Sequence, residues 1–207
     1  MMEEDGMKMK RLTMVSLAAG VLAGQALPVL AQPSFDCAAV RAGSPEEMIC
    51  GDEGLAALDS EMDRLYRKIE AQTSAEDFKT IHAMQQGWLS GRNEGWKQAD
   101  PRQWVEDSYR ERIAVLSVQA GEVTVPDPVE YTCSGGAFDG LTAVFYDTDP
   151  PVGVFTRTPP GDWPQYIATG WDDDGAVHYN IGGLDFIDRD GKADLNWAGT
   201  PMQCQRM

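Results

Sequence analysis

Near residue 121 the apolar residues of this chain change their spacing, and that change limits the fold more than any motif does. From Pro45 to Gln119 the apolar positions recur at intervals of three and four. Leu55, Leu58, Met62, Leu65 and Ile69 form one stripe, the period of a helix with one buried face. After Glu130 the period becomes two. LTAVFY, PVGVFTRT, QYIAT, GAVHYN, GLDFID and ADLNW alternate apolar and polar residues between Gly, Pro and Asp turns, as half-buried strands do. Two periods in one chain predict an α+β protein with a helical unit over residues 32–120 and a β unit over residues 130–207. GEVTVPDPV, residues 121–129, joins them, and its prolines favour an extended linker with limited swing.

Within the first unit, three helices are expected. SAED at Ser74 is a capping-box-like start. Phe78, Ile81, Met84 or Gln85, and Trp88 carry that helix's inner face. Asp100–Pro101 supplies a cap and a first-turn proline for the third helix, which Val105, Tyr109, Arg112 or Ile113, and Leu116 line. Glu46, Glu47, Asp52 and Glu53 flank Cys50 and favour a helix N-terminus. Short strands at even spacing in so brief a second unit fit a small antiparallel barrel or a sandwich.

Residues 1–31 have the pattern of an export signal. Lys8, Lys10 and Arg11 precede the apolar run Leu12–Ala23, Pro28 ends it, and Val29-Leu30-Ala31 is a small-residue cleavage sequence before Gln32. The acidic MMEEDG ahead of the basic residues makes Met7 or Met9 the better start. The run is too short to span a bilayer. A lipoprotein would carry cysteine directly after the cleavage point, and Cys37 lies well beyond it. A soluble, periplasmic protein is expected.

Four cysteines, Cys37, Cys50, Cys133 and Cys204, allow three connectivities. In an oxidising compartment, pairing within each half is the simplest. On the chain-entropy model Cys37–Cys50 would stabilise by roughly 3 kcal/mol and Cys133–Cys204 by roughly 4.4 kcal/mol. No C-x-x-C and only two histidines argue against zinc. The net charge is −16, and removing residues 1–31 leaves it unchanged, since Glu3, Glu4 and Asp5 offset the three basic residues. Such a surface repels nucleic acid and steers toward cationic partners.

PSFDCAAV, EEMICGDEGLAALDSEMDRLYR, QQGWLSGRNEGW and YRERIAVL, between Pro33 and Leu116, resemble the LprI-like lysozyme-inhibitor N-terminal domain. That family often has a second cysteine pair between its last two helices. Trp96 and Trp104 stand near those positions here, and aromatic packing is expected in its place. YTCSGG, LTAVFY and GAVHYNIGGLDFIDRDGKADLNWAGTPMQC, from Tyr131 to Cys204, resemble the MliC-like inhibitors of C-type lysozyme, which are small antiparallel β-barrels. In that family a Ser-Gly-x-x-Tyr segment and a later lysine enter the lysozyme cleft. The resemblance places Gly175 and Tyr179 on the glycine and tyrosine, with one extra residue between them. Asp174 falls on the serine and Arg189 on the lysine. A guanidinium can pair with a catalytic carboxylate through two hydrogen bonds. Asp174 would bring a further carboxylate toward the two with which lysozyme cuts, so it must turn away or take a proton.

The acidic run GWDDDGAVHYNIGGLDFIDRDGKADLNW has three readings. Asp188, Asp190 and Asp194 around Gly191 look like a calcium loop, but Phe186 falls where the first ligand belongs and the motif occurs once. Asp172–Asp174 would serve as an electrostatic rim facing a basic lysozyme. Asp174–Gly175 and Asp190–Gly191 are hairpin turns. Turns with an acidic rim are the expectation, with no metal and no cofactor. Ser134 lacks a nucleophile elbow, and strand or helix position accounts for His82 and His178, so no enzyme is expected. The whole reads as an exported, non-catalytic lysozyme inhibitor that occludes the active-site cleft and protects peptidoglycan. The alternative is a periplasmic calcium-dependent or ligand-binding envelope module.

Overall fold

The computed structural model describes residues 31–136, 138–162 and 164–207. All of the expected signal segment except Ala31 lies outside the described residues. Among the described residues no helix is long and apolar enough to cross a membrane.

The first half holds α1 (Pro45–Gly51), α2 (Glu53–Gln72), α3 (Ala75–Arg92) and α4 (Pro101–Gln119). The three long helices match the sequence periodicity, and α1 is an addition to it. Asp52 separates α1 from α2: its backbone is extended (φ −123°, ψ 112°) while its carboxylate accepts from the Leu55 amide. Ser44, Ser74 and Asp100 cap the other helices, accepting from the amides of Glu47, Asp77 and Gln103. Each cap satisfies an amide that the helix cannot and stabilises by about 1 kcal/mol. Leu55, Met62, Leu65 and Ile69 of α2 meet Val105, Tyr109 and Leu116 of α4 in the core. On α3 it is Gln85 that turns inward, while Met84 is 55% exposed.

A polar chain crosses this core. The Tyr109 hydroxyl donates to Asp59 Oδ1 at 2.7 Å and accepts from Arg92 Nη1 at 2.8 Å, and Arg92 also pairs with Glu46. All three central side chains are buried, so each needs the others. The aromatic substitute for a second bridge forms only in part. Trp104 lies on Gly95, where a Cβ would stand 2.7 Å from its ring, but Trp96 is 70% exposed.

The second half is a closed antiparallel barrel. Its strands are β1 (Val129–Ser134), β2 (Gly140–Tyr146), β3 (Val152–Thr158), β4 (Gln165–Asp173), β5 (Ala176–Ile181), β6 (Leu184–Arg189), β7 (Lys192–Trp197) and β8 (Thr200–Arg206). Each strand pairs with the next, and β8 pairs with β1. Closure leaves no free sheet edge and decides between barrel and sandwich. Phe155 lies at the centre of the aromatic core, with Phe186, Tyr179 and Phe145 around it at centroid separations of 4.7, 5.5 and 5.9 Å. Gly153 and Gly170 make room for these rings: an added Cβ would lie 2.6 Å from Phe155 and 2.9 Å from Tyr179, respectively. Both disulfides pair within their own halves. Cys37–Cys50 ties the N-terminal turn to α1, and Cys133–Cys204 joins β1 to β8 at the seam of the barrel.

The halves touch through α4, which packs on β3 and β4. Glu122, in the linker, accepts from Arg64 at 2.6 Å and Lys68 at 2.8 Å on α2. Hydrogen bonds from Arg64 and then Lys68 push its carboxyl down to about 2.

Candidate functional site

Successive connections in an up-and-down barrel alternate between its two ends. The β2–β3, β4–β5 and β6–β7 connections therefore share one end. In the β4–β5 hairpin Asp173 faces Ala176, which leaves Asp174–Gly175 as a two-residue tip. In the β6–β7 hairpin Arg189 faces Lys192, which leaves Asp190–Gly191. Asp174 and Gly175 have φ of 54° and 83°, and Asp190 and Gly191 of 57° and 83°. Two successive residues with positive φ match the twist of the flanking strands, and Asp-Gly tolerates them at low cost.

The two tips are tied together. Arg189 Nη2 donates to Asp173 Oδ2 at 2.8 Å, and the Arg189 side chain is 50% exposed. It projects outward at the tip. Asp172, Asp174 and Asp190 are exposed beside it, and Asp147 and Asp149 in the β2–β3 connection are exposed at the same end. This end of the barrel is strongly acidic with a guanidinium in its midst.

Tyr179 does not join this surface. Its side chain is 4% exposed and its ring lies 5.3 Å from Phe145 and 5.5 Å from Phe155. Burial pushes its hydroxyl up to about 12. The extra residue after Gly175 is the physical reason, because one added position turns a strand residue to the opposite face. The position with the family's own spacing from Gly175 is His178, which points outward. His178 Nε2 lies 3.0 Å from Asp185 Oδ1, and its Nδ1 lies 4.0 Å from Asp173. Its ring packs against Trp171, tilted by 35° with centroids 4.5 Å apart. Trp171, half exposed, is the residue that the sequence reading missed. The signal was available: Trp171 alternates with the inward Gly170 in β4, so the strand period puts it on the outer face.

The calcium reading fails on geometry. Asp188 points into the barrel, where it accepts from the Tyr131 hydroxyl and the Gly191 amide, both at 2.7 Å, and from Arg206. Asp194 points outward and accepts from Gln203 at 2.6 Å. Neighbouring strand faces separate them, so no ion can bridge the two. Among the described residues no three His, Cys, Asp or Glu side chains cluster for a metal. Burial raises the Asp188 carboxyl, but the hydrogen bonds from Tyr131, Arg206 and Gly191 outweigh it and hold the group below its ordinary range. His82 is exposed and bonded to the Tyr66 hydroxyl at 2.8 Å.

These features define a class: a disulfide-closed eight-stranded barrel carrying a helical bundle, with an acidic, arginine-bearing rim at one end. No family model matches the chain. It is similar along its whole length to lipoprotein LprI of Mycobacterium tuberculosis and of Mycobacterium bovis, with 26% identity over 202 residues and 97% of each chain covered. All four cysteine sulfurs of the present chain are taken up in disulfides. Among solved structures, Pseudomonas aeruginosa MliC in complex with hen egg white lysozyme matches 41% of this chain and 86% of its own, at 16% identity and a TM-score of 0.33. That superposition is too loose to define a common site.

Proposed function

We propose that this protein is an exported, non-catalytic inhibitor of C-type lysozyme that blocks the glycan-cutting cleft with its two tied hairpin tips. The observation that carries the reading is Arg189: a half-exposed guanidinium at a projecting tip, beside Asp174–Gly175. A guanidinium matches a carboxylate in geometry and charge, and a retaining glycosidase offers two carboxylates in its cleft. Similarity to LprI along the whole chain and the sequence resemblance to lysozyme-inhibitor families support the reading.

In this proposal Arg189 exchanges its Asp173 partner for a lysozyme carboxylate. Asp174 and Gly175 shape the neighbouring tip, and the positive φ of Asp174 belongs to the turn. Trp171 and His178 replace Tyr179 as the aromatic contact, since exposed Trp is the side chain that most often anchors a protein interface. Asp172, Asp174 and Asp190 supply the field that draws in a basic partner. The leader pattern of the sequence and the two disulfides support export to the periplasm as part of this reading.

The test is residual lytic activity of hen egg white lysozyme on suspended peptidoglycan. Equimolar protein at micromolar concentration should suppress lysis, and Arg189→Ala should lose much of that effect. Full lytic activity at that ratio would sink the proposal.

A further inference from the structure

A cleft of about 940 Å³ separates the helical half from the outer wall of the barrel. It lies where α3 and α4 face the strands β4 and β5, toward Pro164 and Ile181, at the far end of those strands from the hairpin tips. Its walls are largely apolar, from Ile81, Met84, Trp88, Val115, Ile167 and Ile181. Two of these are exposed, Met84 by 55% and Ile181 by 44%. Its size falls within the range of small-molecule pockets.

Arg112 of α4 lines this cleft and is only 9% exposed. Its Nε donates to Gln85 Oε1 at 2.8 Å, but its buried Nη2 has no hydrogen-bond partner among the described residues. A second unpaired polar atom, Oε1 of Gln119, belongs to the same cleft. A buried cation without an anion is costly, and its single hydrogen bond to Gln85 offsets only part of that cost. We infer that the cleft binds a single-chain amphipathic anion, its alkyl body against the Met84 and Ile181 walls and its anionic head on Arg112.

The surroundings fit that occupant. Desolvation pushes Arg112 down to about 10, which leaves it charged at neutral pH and in want of a counter-ion. Two carboxylates also line the cleft: Asp77, which accepts from the Ser74 hydroxyl at the start of α3, and Glu111, whose carboxyl desolvation and the nearby Asp107 raise above the ordinary range. Met84 is unbranched and can swing aside to open the path.

Titration calorimetry of the whole protein with dodecanoate, dodecanol and vesicles of phosphatidylglycerol tests the inference. Dodecanoate should bind one per chain, at least about tenfold more tightly than dodecanol, which corresponds to about 1.4 kcal/mol. Arg112→Met should erase the preference for the acid. Met84→Glu and Ile181→Glu alter exposed side chains, so they should keep the thermal melting of the parent while weakening both ligands about tenfold. No dodecanoate binding, an undiminished preference in Arg112→Met, or parental affinity in both glutamate variants would overturn the site. Binding of the vesicles in place of free dodecanoate would overturn it as a site for free amphipaths.

Discussion

One residue's register decides the chemistry of the rim. Because Tyr179 faces the barrel interior while Trp171 lies outside against His178, substitutions at Tyr179 and Trp171 should separate cleanly. Trp171→Ala should weaken lysozyme binding by about 2 kcal/mol, the scale of an interface anchor. Tyr179→Phe should leave binding within about threefold of the parent, because it removes only a hydroxyl from a ring held in the core. Competitive titration of lysozyme activity reads both, and a larger loss at Tyr179 than at Trp171 would return the tyrosine to the interface. Asp188 gives a second residue-scale test. Its folded-state carboxyl titrates below its ordinary value near 3.8, so its contribution is present above that pH and is lost as the pH falls through the lower, folded value. Barrel stability should therefore decline below about pH 4, and Asp188→Asn should flatten that decline while lowering stability at neutral pH. Urea titrations at several pH values would show a parallel acid slope in both proteins if Asp188 were not the group responsible.

At the scale of the element, the buried chain from Asp59 through Tyr109 to Arg92 fixes how α2, α3 and α4 meet. Arg92→Met removes the one cation of that chain and leaves buried Asp59 held only by the Tyr109 hydroxyl and the Ser34 amide, a loss of about 3 kcal/mol, whereas Tyr109→Phe should cost about 1–3 kcal/mol. Equal small losses in urea unfolding would mean that water satisfies Asp59 instead. Much of this element structure was legible in the sequence. The stripe from Leu55 to Ile69, the capping serine and aspartates and the two Asp-Gly tips are local signals, and local signals survive folding. β8 was less visible, because it places only Met202 and Cys204 inward and has Pro201 next to its start. The rim was legible in composition, but the facing of Tyr179 was not. An added residue before Tyr179 reverses the face of a strand side chain, and only the observed pairing of Tyr179 with Phe186 fixes which way it turned. The Arg112 cleft was out of reach, since it depends on how the two halves dock.

At the scale of the whole molecule, two units of different period are held by different means. The helical unit has a core of interleaved apolar side chains around its polar chain, and its Cys37–Cys50 bridge closes a short loop of separation 13. The barrel is small, and its bridge spans a separation of 71 and joins the first strand to the last. Opening that seam exposes the edges of β1 and β8 and restores most of the entropy of the unfolded β half, a change of about 4 kcal/mol. The contacts across α4 and the Glu122 ties are modest by comparison, because exposed ion pairs contribute little. Cys133→Ala with Cys204→Ala should therefore lower the melting of the barrel alone and split thermal unfolding into two steps, with the helical circular-dichroism signal lost at the parental temperature. Lysozyme inhibition should vanish with the first step, since both tips belong to the barrel. A single transition shifted as a whole, with helix and inhibition lost together, would instead make the α4–barrel contact the principal bond of the molecule and the two halves one cooperative unit.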